Sequence, residues 1–197
     1  MELFARVTEE LLRTKAFEEI SVQDIARRAR RPIGSFYARF RSKEALLPFL
    51  YQRYHDGLEP MFAARLARYD WDTLDFKATV TALVDFLIGL YDERRWLIRA
   101  LALFTRARSE ALPPDLLESR RRLYDREVKI LLRHRAHIRH PNPGRAARFG
   151  LFLVMSLARE KLLFGNAPTA RVTPLTRKAL REELVRALYG YLNCEVA

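Results

Sequence analysis

Residues 24–43 carry a dense cluster of charge. Arg27, Arg28, Arg30, Arg31, Arg39, Arg41 and Lys43 stand there against the single acid Asp24, a local excess of +6. The 197-residue chain has 36 Lys plus Arg and 24 Asp plus Glu, a net charge of +12. Half of that excess therefore falls in about a tenth of the length. Guanidinium groups at this density attract anions, and the anion that presents many charges in register is a nucleic-acid backbone. The apolar residues between the charges give the cluster a shape. Val22, Ile25, Ala26 and Ala29 share one face at helical spacing, and Phe36 and Phe40 share one face a few residues on. Ser21 is placed to cap the first of these helices, and Pro32 suits the first turn of the second. Two short helices joined by a tight turn and covered in Arg make a helix-turn-helix, whose second helix enters the DNA major groove.

Other chemistries are poorly served. His134, His137 and His140 recur every third residue near an expected helix end, but they fan around the helix and Arg133, Arg135 and Arg139 would repel a cation. No metal site is expected. No Glu is followed three residues later by His, as a carboxylate di-metal bundle requires, and no Gly-rich phosphate loop or nucleophile motif is present. The chain reads as a non-enzyme without a cofactor. The lone Cys194 permits no internal disulfide. The longest apolar run, Phe149 to Ala158, has 10 residues, about half of the roughly 20 that span a bilayer. Charges at Glu2 and Arg6 precede any apolar run, so no secretory signal is expected. The expected location is the cytoplasm, on the nucleoid when DNA is bound. A hydrophobic content of 49% excludes wholesale disorder.

The elements that must position the cluster read as helices almost throughout. Leu3, Phe4, Val7, Leu11 and Leu12 repeat at spacings of three and four, as do Val80, Leu83, Val84, Leu87 and Leu90. No stretch alternates with the period of a strand. The pattern predicts an all-α protein of about nine helices, near 2–15, 22–29, 32–39, 43–68, 73–91, 94–109, 114–139, 144–165 and 174–193. Pro113-Pro114, Pro141, Pro143, Pro168 and Pro174 act as punctuation. Helices are short before residue 43 and long after it. A small domain over 1–45 and a larger one over 46–197 are expected.

The run from Phe17 to Leu47 resembles the DNA-binding segment of tetracycline-repressor-like (TetR-type) regulators. Val22, Asp24, Ile25 and Ala26 match the helix before the turn, Gly34-Ser35-Phe36-Tyr37 with Phe40 matches the recognition helix, and Ser42-Lys43-Glu44-Ala45-Leu46 matches the start of the fourth helix. The close likeness covers about residues 5–50; beyond it only the long-helix architecture is similar. Arg30 departs from the pattern, standing where the family places a glycine that ends the first helix in a left-handed residue. The resemblance implies that Ser21, Gln23, Ile33, Gly34, Ser35, Tyr37, Arg39 and Lys43 meet DNA. Gly34 would allow close approach to the backbone, Ile33 would meet a thymine methyl, and Lys43 would contact a phosphate from just inside the fourth helix.

It also implies a homodimer on a palindromic operator and a pocket for a small hydrophobic or amphipathic effector. Ala146, Gly150, Val154 and Ala158 recur every fourth residue, a small-residue stripe that lets another helix approach closely, and Leu180, Leu184, Leu188 and Tyr191 form a second stripe. These are the expected dimer interface, with intrachain packing as the alternative. Phe62, Phe86, Trp96, Phe104, Tyr124 and Phe152 are the expected pocket lining. Residues 120–148 hold ten basic residues against Asp125 and Glu127, read either as a solvated surface or as a sign of an acidic effector. The leading function is a ligand-responsive, sequence-specific DNA-binding repressor. The alternative is a non-specific basic nucleic-acid-binding helical protein without effector response; no membrane partner is expected.

Overall fold

Helical periodicity is realised along the described residues. A computed structural model describes residues 1–108 and 114–194, and among these the ordered elements are all helical. In chain order they are α1 (Glu2–Leu12), α2 (Val22–Arg28), α3 (Ile33–Tyr37), α4 (Leu46–Asp56), α5 (Leu58–Leu66), α6 (Phe76–Glu93), α7 (Arg95–Ala107), α8 (Pro114–Leu132), α9 (Pro143–Leu163), α10 (Pro168–Val172) and α11 (Arg177–Asn193). Short 3₁₀ turns occupy Phe17–Glu19 and Arg135–His137.

The helix map differs from the expected one in three places. The single helix expected over 43–68 is two, because α4 ends at Gly57, a residue that favours helix termination. α4 also starts three residues late: Ser42 Oγ accepts from Ala45 N–H at 3.3 Å, holding 42–45 in a turn. The helix expected to reach residue 139 stops at Leu132 and gives way to the 3₁₀ turn. Between Pro168 and Pro174 a short helix, α10, fills what reads as a connection.

The chain divides into two compact units. The first contains Met1–Glu59 together with α7. Its core gathers Phe4, Leu12, Ile20, Ile25, Phe36, Phe40, Leu46 and Leu50, joined by Leu97, Leu101 and Phe104. α7 belongs here because its apolar positions, Leu97, Ala100, Leu101 and Phe104, lie at helical spacing and are buried. Arg13 covers the Trp96 ring at 5.4 Å in the same unit.

The second unit runs from Pro60 to Glu93 and resumes after α7, in α8. Its centre is the packing of α6, α9 and α11. Ala146, Val154 and Ala158 are 0% exposed, and Leu184 and Leu188 are buried opposite them. A Cβ added to Gly150 would lie 2.7 Å from Leu188 Cδ1 and 3.3 Å from Tyr191 Cδ1. The small-residue stripe is therefore consumed inside the chain, where it lets α11 close on α9. Of the residues expected at a dimer interface, Ala146, Gly150, Val154, Ala158, Leu180, Leu184 and Leu188 are buried within one copy, as in the intrachain alternative, and Tyr191 is partly exposed. Among the described residues no helix is long and apolar enough to cross a membrane.

Candidate nucleic-acid interface

The charged cluster sits on two helices whose ends are set by local chemistry. α2 opens with a reciprocal cap. Ser21 Oγ accepts from Asp24 N–H at 3.0 Å, and Asp24 Oδ2 accepts from Ser21 N–H at 3.1 Å. These bonds, led by that of the Ser21 backbone, hold the Asp24 carboxyl below its ordinary range. The far end of α2 closes with Arg31 N–H donating to Ala26 O at 3.0 Å and Arg30 N–H to Arg27 O at 3.1 Å. That is the Schellman pattern, and it needs a left-handed residue in the middle. Arg30 supplies it, at φ 52°, without being glycine. The departure seen in the sequence leaves the turn geometry intact and is carried as backbone strain.

α3 is oriented by one side chain. Phe36 is 0% exposed and packs edge-on against Phe4, with ring centroids 5.4 Å apart. With Phe36 pointing inward, Ile33 and Tyr37 project outward, 41% and 53% exposed. A Cβ built on Gly34 meets nothing within 4 Å. The protein's own packing does not require glycine there, so the bare backbone keeps α3 open to approach from outside. Gln23, at the start of α2, and Arg27, Arg30, Arg31, Arg39 and Arg41 are exposed around this face.

Several expected contact groups are committed internally. Ser21 is the α2 cap. Ser35 Oγ donates to Pro32 O at 2.7 Å, and Arg39 Nη1 donates to Ser35 O at 2.8 Å. Lys43 lies in the turn before α4. Its Nζ donates to Phe17 O at 2.9 Å and Glu18 O at 3.3 Å and sits 4.7 Å from the Phe17 ring centroid. It thus ties the turn before α4 to the segment before α2. Ile33, Gly34, Tyr37 and Gln23 are the expected residues left fully outward.

The expected effector lining is not brought together. Trp96 and Phe104 belong to the first unit's core. Phe62 and Phe86 are buried in the second unit, packed edge-to-face at 4.6 Å. Tyr124 and Phe152 line an open surface groove with Asn142, Arg145, Arg148 and Phe149. Helical spacing put aromatics inside without saying which of them share a cavity. Phe152, expected as pocket lining, instead forms an aromatic surface on α9 with Phe149; the two are 59% and 50% exposed with ring centroids 6.4 Å apart. Its signal was the run from Phe149 to Ala158, apolar on more faces than one core can cover. Also unforeseen is Glu127, a carboxylate 2% exposed, at helical spacing from the apolar Leu123 and Leu131.

Residues 5–48 match the family model of bacterial regulatory proteins, tetR family. No curated protein matches the chain significantly. Among solved structures, the chain resembles a transcriptional regulator (TerR/AcrR family) from Aquifex aeolicus VF5, with 23% identity, TM-score 0.55 and coverage of 95% of this chain and 96% of that one. A TetR transcriptional regulator from Rhodococcus sp. RHA1 aligns with 22% identity, TM-score 0.52 and coverage of 96% and 93%. A TetR family transcriptional regulator from Pseudomonas syringae pv. tomato str. DC3000 aligns with 20% identity, TM-score 0.56 and coverage of 97% and 94%. The family's DNA-binding segment is thus matched at residues 5–48, and the fold of these solved regulators extends over nearly the whole chain.

Proposed function

We propose that the protein is a homodimeric repressor that reads a palindromic operator through α3 and is released from it by a small-molecule effector. The observation that carries this reading is the outward face of α3. It presents Ile33, a side-chain-free Gly34 and Tyr37 to solvent, ringed by exposed arginines, on a helix anchored from behind by Phe36. Apolar and hydroxyl groups at the front of a short helix suit base edges and sugar in the major groove, and the arginines suit phosphates. The second copy binds at the exposed aromatic pair Phe149 and Phe152 on α9, since solvated aromatics clustered on one helix are the usual mark of a protein contact. A palindromic operator read by two copies would hold the two α3 helices roughly 34 Å apart, one turn of DNA.

Tyr37→Ala tests the reading, because Tyr37 is 53% exposed and meets the core through an edge contact with Phe36, ring centroids 5.7 Å apart. Fluorescence anisotropy on a preferred duplex should show about a tenfold or greater loss of affinity, with helix content unchanged. Binding should fall steeply with salt and resist competition by random DNA. Unchanged affinity in Tyr37→Ala, or equal competition by any sequence, would contradict the proposal and favour non-specific binding.

A further inference from the structure

Among the described residues Arg30 alone has a positive φ, 52°, and no described glycine shares that region. The closure of α2 holds its backbone there. Arg30 N–H donates to Arg27 O at 3.1 Å, and Arg31 N–H reaches back to Ala26 O at 3.0 Å. Ala29 is buried just before it, Pro32 follows at φ −58° and ψ 145°, and α3 begins at Ile33. A Cβ in the left-handed region crowds the following carbonyl, so the side chain stands against a steric cost that glycine would avoid. Nothing within the protein offsets that cost through the guanidinium. Arg30 is exposed, and its side chain has no ion pair or hydrogen bond among the described residues.

Its neighbours add electrostatic repulsion. Arg27, Arg28, Arg30 and Arg31 lie close together along the chain. Arg28 is neutralised by Glu10, Nη2 to Oε2 at 2.8 Å. Arg27 stands 3.8 Å from Asp24, whose carboxylate already accepts from Ser21 N–H. Arg31 is exposed and has no ion pair among the described residues. Positive charge therefore crowds this turn with little compensation, and like charges so placed repel. Strain of this kind clusters at functional sites, where it is part of how the site works. From this geometry we infer that Arg30 contacts DNA, its guanidinium bound to a backbone phosphate beside the groove that α3 enters. This role rests on the reading of α3 as the DNA-reading helix. A phosphate supplies what the turn lacks, an anion whose oxygens accept two parallel N–H bonds from one guanidinium. Phosphate carries no base identity, so Arg30 sets affinity and the seating of α3, while Ile33 and Tyr37 face base edges and sugar.

Removing this side chain acts in opposite directions on folding and on binding. Arg30→Gly relieves both the left-handed strain and the repulsion, so the protein melts at a higher temperature. It also deletes the phosphate contact, so the operator is held less tightly. Each copy of a dimer supplies one such contact. The slope of log affinity against log salt therefore becomes shallower by about 1.8, roughly 0.9 for each phosphate released.

The test is fluorescence anisotropy on a duplex selected from a random pool, at several salt concentrations, with full-length wild type, Arg30→Gly, Arg30→Lys and Tyr37→Ala. Arg30→Gly should bind about tenfold or more weakly, with the shallower salt slope. Arg30→Lys keeps the charge and should keep the slope, with part of the affinity lost because an ammonium cannot bond in two parallel lines. Single methylphosphonates placed along the duplex locate the contact. At one phosphate in each half-site the neutral group should weaken the wild type and leave Arg30→Gly unaffected. Binding by Arg30→Gly within about twofold of wild type, beside a weakened Tyr37→Ala, overturns the role of Arg30 and leaves DNA reading by α3 standing. Weaker binding with an unchanged slope also overturns it, as does equal sensitivity of both proteins to every methylphosphonate, since altered turn geometry would then cause the loss. Arg30→Gly and Tyr37→Ala both binding as the wild type does would overturn both readings.

Discussion

Arg30 shows how a single residue can obey a turn and oppose it together. The Schellman closure of α2 needs a left-handed residue, and a side chain at φ 52° costs energy that glycine would not incur. Arg30→Gly should raise thermal stability by about 0.5–1 kcal/mol, read as an upward shift of the melting temperature. A lower melting temperature would show that the arginine side chain stabilises the turn by more than its backbone strains it. The neighbouring cap at Ser21 was legible in the sequence because its partner, Asp24, is three residues away. The tether from Lys43 was not, since the carbonyls of Phe17 and Glu18 that it binds lie 26 and 25 residues back. Spacing along the chain says which residue types can act, but not which of them folding has already used.

Among the helices, α2 and α3 follow from their apolar positions, and the long helices follow from periodicity over many turns. The failures fall where periodicity is locally silent, as at Gly57, or where two faces of one helix are both apolar. α9 is the instructive case. Its small residues looked made for a second copy, yet they seat α11 of the same chain, and the large aromatics Phe149 and Phe152 remain outside. The sequence pattern marked α9 as a packing helix but could not assign its faces, because close approach within a chain and between chains uses the same residues. Phe152→Glu places a charge on the proposed copy-to-copy surface while sparing the core. Sedimentation should show the dimer shifted to monomer by a tenfold or greater rise in its dissociation constant, roughly 1.4 kcal/mol or more. An unchanged dimer would place the interface elsewhere on the surface.

For the molecule as a whole, the net charge of +12 concealed two different populations of arginine. One surrounds the outward face of α3, where it suits phosphate. The other, in residues 120–148, is partly paired, as Arg148 is with Asp125 at 2.7 Å and Arg133 with Asp72 at 2.7 Å. The first compact unit extends beyond the expected boundary at residue 45 for a related reason: α7 is distant in sequence, yet its apolar stripe completes that unit's core. Periodicity reveals that such a stripe exists but not which core it joins. The central claim, sequence-specific reading of DNA by two copies of α3, is tested most directly by selecting bound duplexes from a random pool with the full-length protein. The predicted result is enrichment of a palindrome whose half-sites are about one helical turn apart; recovery of unenriched sequence would contradict it.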